Sequence, residues 1–241
     1  RDERQARDDP LLRLLAIALV DQLGLQARDE AIPLAFVRHA DVAHALGVGF
    51  ATFCTTDRVL VARDMRPSGE ALVDAFARGV MEQGIDVVDL GLASTDLLYY
   101  AAGALDAPGA MFTASHNPAQ YNGLKLCLSG ARPVGIDSGL LAVKSVAADV
   151  LDGKAPPRSP KAGSMSRRDL LDDFVEHVLS FVDASTFRAM RVVADTANGM
   201  GGLVVPAVFE RLPMIELEMM YGELDGTFPN HPADPLQPAN Q

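Results

Sequence analysis

Tryptophan is absent from the 241 residues, and aromatic residues make up only 6% of them. A base-stacking platform for single-stranded nucleic acid needs aromatic faces, so that class falls away first. Positive charge is also scarce: 21 Lys and Arg stand against 32 Asp and Glu, for a net charge of −11. A polyanion finds no global attraction here, and any phosphate must be held by a small local cluster of donors. Cysteine occurs twice, as Cys54 and Cys127, with no Cys-x-x-Cys pair. That excludes a disulfide framework and points to a reducing, cytoplasmic setting. The longest apolar run near the N terminus, residues 14–20, is far too short to span a bilayer, and the mixed charges of residues 1–10 do not suit a signal peptide.

Hydrophobic residues reach 49% and charged residues 22%, which is enough for a packed core. The length fits one large α/β domain, or one domain plus part of a second. The chain opens on Arg1 instead of Met and closes in a proline-rich stretch, so the expectation is a fragment of a longer protein.

Asp8, Asp9 and Pro10 read as a helix start, followed by a mostly apolar helix over residues 11–23. A second helix is expected over residues 40–53. Residues 58–62 are an apolar, β-branched strand. Ser68 can cap the next helix, whose stripe is Leu72, Phe76 and Val80 and whose stop is Gly84. Strand 85–90 follows, then a helix capped by Thr95 or Asp96, and strands 109–112 and 123–128. Residues 136–151 read as a helix, 152–166 as an exposed connection and 167–182 as an amphipathic helix. A new strand opens at 191–194, turns through the glycine-rich run 198–202 into a helix, and is followed by strand 215–219.

This order means an α/β fold with a mixed, mostly parallel sheet flanked by helices, plus the start of a second α/β domain. In such sheets ligands sit outside the carboxyl ends of the strands, which places residues 113–121 where chemistry is expected.

The segment 113–125 reads TASHNPAQYNGLK. Ser115 stands on a short polar loop beside His116 and Asn117, Pro118 stiffens the loop, and Gly123 turns it back into a strand. Lys125 sits early in that strand and can point back toward the serine. No Gly-x-Ser-x-Gly elbow surrounds the hydroxyl, so a phosphoryl carrier fits it better than an acyl-transfer nucleophile. Phosphoryl transfer asks for positioning and charge neutralisation, which backbone amides, His116, Lys125 and a divalent cation would supply.

The segment resembles the phosphoserine loop T-A-S-H-N-P-x-x-Y-N-G-x-K of the α-D-phosphohexomutases, the phosphomannomutase/phosphoglucomutase family, at all ten fixed positions. Residues 59–66 (VLVARDMR), 131–135 (ARPVG), 193–201 (VADTANGMG) and 225–232 (DGTFPNHP) resemble the family as well. The resemblance implies a mutase that interconverts hexose 1-phosphate and hexose 6-phosphate through a hexose 1,6-bisphosphate. Ser115, Lys125 and His116 would be catalytic, and Asn117 and Arg63 would bind substrate. Mg²⁺ would bridge the phosphorylated Ser115. The Tyr121-Asn122 form of the loop resembles the mannose/glucose branch; the glucosamine branch more often has Asp in place of Tyr121.

The family's D-G-D-x-D-R metal loop does not occur in the chain, and residues 35–38 (AFVR) do not match its opening segment. The expected division is an unassigned helical segment at 1–38, a phosphoserine-bearing domain at 39–185 and an incomplete second domain at 186–241. A truncated chain without turnover is expected. A phosphoglucosamine mutase, or a non-catalytic remnant that acts only as a binding module, are the alternatives. The expected partner is a small phosphosugar, with no nucleic acid and no membrane; the oligomeric state and the preferred hexose stay open.

Other candidates have plainer readings. Lys125 could be a surface lysine, and His116 could only order its loop. Arg63 could pair with Asp64 or with a neighbouring helix. The 198–202 run resembles a phosphate cradle but in the family opens a domain. His39, His44 and His177 lack metal-ligand spacing, His231 reads as a turn residue, and Asp172 and Asp173 as a solvated helix face.

Overall fold

Along the strand segments 59–62 and 109–112 every residue is buried, so side chains on both faces of the sheet are covered there. Helices therefore have to cover both faces of the sheet. The computed structural model describes residues 35–36, 39–234 and 238. The expected helix at 11–23 and Arg38 lie outside these residues.

The first unit runs β1 (Ala35–Phe36), α1 (Ala40–Phe53), β2 (Arg58–Arg63), α2 (Gly69–Glu82), β3 (Asp86–Leu92), α3 (Thr95–Ala104), β4 (Gly109–Phe112), β5 (Gly123–Leu128), β6 (Arg132–Pro133), α4 (Leu141–Leu151) and β7 (Met165–Arg167). The strand order is β1-β5-β4-β2-β3-β7, with β6 on β5. Strands β4, β2, β3 and β7 are parallel, and β5 pairs antiparallel with β4, β1 and β6. This is the mixed, mostly parallel sheet that the sequence implies.

Val59, Val61, Ala110, Phe112, Leu124 and Leu126 face α1, α2 and α4. Their strand neighbours Leu60, Ala62, Met111 and Cys127 face the opposite way, toward α3 and Phe174. The period-2 alternation of each strand thus splits into two cores. Gly84, at φ 84, ends α2 as expected, in the left-handed position that glycine adopts without a Cβ penalty.

After β7 come α5 (Leu171–Leu179), β8 (Met190–Asp195), α6 (Gly201–Phe209) and β9 (Ile215–Met220). Strands β8 and β9 pair in parallel in a separate two-stranded sheet. The second βαβ opening is present as expected.

Four local expectations change. Ser68 precedes α2 but makes no capping bond. Its hydroxyl instead accepts from Asn122 Nδ2 at 3.0 Å. Helix α3 is capped by Ser94, which accepts from the Leu97 amide at 3.1 Å, and not by Thr95 or Asp96. Residues 136–140 form a wide π turn, broken at Gly139 (φ 138), before α4 begins. The amphipathic helix starts at Leu171, because Met165–Arg167 pairs with β3 as a short, exposed edge strand.

Candidate active site

The carboxyl ends of β2 and β4 lie side by side, and both chains turn into loops there. The Asp64 amide donates to the Phe112 carbonyl at 2.9 Å, and the Thr113 amide to Gly123 at 3.0 Å. The second bond closes residues 114–122 into a loop between β4 and β5. Asn122 anchors its far end by accepting from the Gly123 amide at 2.8 Å.

Ser115 is exposed on this loop and adopts φ 53, a left-handed backbone uncommon for a residue with a Cβ. Its amide donates to Thr113 Oγ1 at 2.9 Å, and Thr113 in turn donates to Asp64 Oδ2 at 2.7 Å. His116 Nδ1 lies 3.4 Å from the Ser115 hydroxyl, a long contact. Asn117 turns its amide inward and donates to the Ala114 carbonyl at 2.8 Å.

Asp64 is 4% exposed and Arg66 1%. The Arg66 Nε donates to Asp64 Oδ2 at 3.1 Å, so the partner of Asp64 is Arg66 and not Arg63. Arg63 instead lays its stem over Gly69 at the start of α2 and is not among the residues that line the pocket. Lys125 lies opposite Met111 on the α3 side of β5. Burial lowers its pKa, and the Asp96 carboxylate partly offsets this. The described contacts bring Ser115, His116 and Asn117 together and leave Lys125 and Arg63 apart from them.

A cavity of about 160 Å³ opens beside Ser115. Asp64 and Thr113 form one wall, Ser94 and Thr95 at the start of α3 another, and Gly199, Met200 and Phe228 close the far side. Gly199 and Met200 of the glycine-rich turn therefore line the same pocket as Ser115. Asn198, at φ 58 and buried, holds that turn: its amide donates to Tyr221 at 2.9 Å and its side chain to Glu223 at 3.0 Å. Two helix N termini, those of α3 and α6, thus open onto the pocket, an arrangement that favours anions.

His231 does more than turn the chain: its Nε2 lies 3.0 Å from Asp195 Oδ2. His177 stacks on Tyr100 at 4.7 Å, His44 meets Glu82 at 3.1 Å, and Asp172 bonds Arg211 at 3.2 Å. The Cys54 and Cys127 thiols are both pushed up to about 12 by burial, which keeps them protonated at neutral pH.

No group of three or more His, Cys, Asp or Glu that could hold a metal occurs among the described residues. The carboxylate nearest Ser115 in this loop network, Asp64, is already committed to Arg66 and Thr113. The residues around Ser115 therefore do not by themselves fit a divalent cation. No helix among the described residues is long and apolar enough to cross a membrane.

The family model described as phosphoglucomutase/phosphomannomutase, alpha/beta/alpha domain I, matches residues 35–140, and the model of alpha/beta/alpha domain II matches residues 172–241. The chain is 38% identical over 203 residues to the phosphohexose mutases of Xanthomonas campestris pv. campestris, covering 83% of this chain and 44% of that protein. It is 34% identical over 204 residues to a phosphomannomutase of Salmonella typhimurium, with 82% and 44% covered. A solved phosphoglucomutase/phosphomannomutase family protein from Burkholderia thailandensis superposes with a TM-score of 0.73 at 32% identity, over 87% of this chain and 47% of that one. A putative phosphomannomutase from Thermus thermophilus shares the fold, with a TM-score of 0.72 at 21% identity over 88% and 49%. The chain spans less than half the length of these curated relatives.

Proposed function

The chain belongs to the phosphoglucomutase/phosphomannomutase family, and from that premise we propose that Ser115 is its phosphoryl carrier and a hexose phosphate its substrate. The observation that carries the reading is the placement of Ser115. Its hydroxyl stands exposed at the end of β4, in a pocket onto which two helix N termini open.

In the forward step the bond from phosphorus to Ser115 Oγ breaks as the 6-hydroxyl oxygen of a hexose 1-phosphate takes the phosphoryl group. The hydroxyl proton leaves to a base. The resulting 1,6-bisphosphate turns over in the pocket and returns its 1-phosphoryl to Ser115. Little covalent assistance is required, so the protein's share is geometry and charge. His116, next to the hydroxyl, is placed to contact the phosphoryl oxygens. Lys125 is kept as the acid/base candidate on its place in the loop motif; burial lowers its pKa, and no described contact joins it to Ser115. Asn117 and Arg63 are weaker members of the set, since one amide already serves Ala114 and the other stem lies on Gly69. Mg²⁺ has no carboxylate cluster to hold it among the described residues, and no step here is routed through it.

The test is phosphoryl uptake. Incubation with glucose 1,6-bisphosphate should add one phosphoryl group to the peptide 113–125, located by mass spectrometry. Ser115→Ala should take up none. Uptake at another residue, or equal uptake by the variant, would remove Ser115 from the role.

A further inference from the structure

The loop that carries Ser115 is wrapped around a guanidinium. An arginine side chain has five N–H donors and no acceptor. In Arg66 each donor has a partner. Nε donates to Asp64 Oδ2 at 3.1 Å. Nη1 donates to the carbonyls of Pro118 at 2.8 Å and Tyr121 at 3.0 Å. Nη2 donates to the carbonyls of Ser115 and Asn117, each at 2.8 Å. The side chain is 0% exposed. Four backbone carbonyls from both limbs of one loop thus converge on a single buried cation. Removing the guanidinium would take a hydrogen bond from all four at once, and of the described bonds the Pro118 carbonyl would keep only that from the Tyr121 amide at 3.0 Å.

The consequence falls on Ser115. With its carbonyl drawn inward by Nη2 and its amide held by Thr113, the residue is fixed in its left-handed conformation. The hydroxyl is left exposed beside the pocket. Phe228, from the second unit, covers the guanidinium with its ring centroid 5.2 Å from Arg66 Cζ. Gly226 packs so closely that a Cβ there would lie 2.6 Å from Arg66 Cα.

We propose that Arg66 is the positioning residue of this site: it sets the direction of the Ser115 hydroxyl by gathering the loop carbonyls, and Phe228 of the second unit holds it there. The proposal rests on the reading of Ser115 as phosphoryl carrier. Arg66 is buried beneath the loop, so it acts through Ser115 and not on the substrate. Lysine cannot replace it, because an ammonium has three donors around one point and cannot span both limbs of the loop.

The test compares the whole chain with its Arg66→Lys variant, using glucose 1,6-bisphosphate as the phosphoryl donor. The maximal rate of uptake at Ser115 should fall about a hundredfold, the scale of a misplaced reacting atom. The half-saturating concentration should stay within about threefold, since binding contacts are untouched. Amide hydrogen exchange should quicken at Ser115, Asn117 and Tyr121 and stay unchanged in β2 and β4. Should Arg66→Lys not fold, Phe228→Leu replaces it, with several-fold slower uptake and faster amide exchange at Ser115 and Asn117 expected. Wild-type rates in the folded variant, or an unchanged loop exchange pattern, would overturn the proposal. Absence of uptake by the wild-type chain would instead overturn the carrier reading, and loop exchange in Arg66→Lys would still decide whether Arg66 holds the loop.

Discussion

His231 has an acceptor at each ring nitrogen. Nδ1 lies 2.9 Å from the Pro232 carbonyl, and Nε2 sits 3.1 and 3.0 Å from the two oxygens of Asp195. A neutral imidazole can donate from only one nitrogen, so the imidazolium satisfies the site better. The Pro232 carbonyl and then the Asp195 carboxylate raise its pKa above the ordinary 6.5. A raised pKa means that the pair's stabilisation is fully present below about pH 6.5 and is lost as pH rises through the folded-state value. His231→Asn should therefore cost more stability at about pH 5.5 than at about pH 8.5. Denaturant melts of both proteins at the two pH values measure this, and an equal cost at both would remove the charge from the account. The sequence disclosed no partner for His231, because Asp195 is 36 positions away. Ser115 was legible because its loop is a contiguous string. Arg66 was not, because four of its five acceptors are backbone carbonyls, and a carbonyl leaves no mark in a sequence. What could have flagged it is a charged residue three positions past a buried strand, at the carboxyl edge of the sheet.

Helices α1 and α2 cross backbone to backbone. A Cβ on Gly79 would be driven into the carbonyl oxygen of His44, and one on Gly47 into that of Phe76. Neither obstacle is the movable end of a side chain, so the helices would have to separate. Gly79→Ala gains helix propensity on paper. Overpacking should outweigh that gain, for a net loss of roughly 1–3 kcal/mol. Denaturant unfolding measures it, and a stabilised variant would mean that the crossing is looser than described. At this scale the sequence was most readable where both faces of an element are apolar, as in β2 and β4. It was least readable in Met165–Arg167, whose three residues are all exposed. That strand exists through backbone bonding to β3, helped by Gly163 packing on the Ile85 backbone, and no hydrophobic period announces it. The cap of α3 was misplaced by one or two residues for a related reason. Ser94, Thr95 and Asp96 all have capping side chains, and only the backbone angles select Ser94.

The two units of the molecule are unequally packed. In α1 nine residues are buried, including Leu46 and Phe50, whereas α6 has none buried despite its apolar sequence, and neither do β8 and β9. Val193 is 55% exposed. The second unit meets the first through Phe228 over Arg66, Gly226 against the backbone of Met65 and Arg66, Val204 against the α3 core, and the exposed Arg211–Asp172 pair, which adds little. Local opening free energy follows buried apolar contact, so the β8-α6-β9 unit should open well below the global transition. Amides of β8 and β9 should then exchange faster than those of β2 and β4, and denaturant should unfold the chain in two steps. A single transition, with equal protection in both sheets, would show instead that one cooperative core spans them. The consequence reaches the site, because Gly199, Met200 and Phe228 form one wall of the pocket while Ser115 stands on the other. Each opening of the second unit would remove that wall and uncover Arg66, leaving the cage held by the guanidinium's own hydrogen bonds without the Phe228 cover. Loop amides at Ser115 and Asn117 should therefore keep more protection than β8 during such openings, and exchange measured residue by residue separates the two.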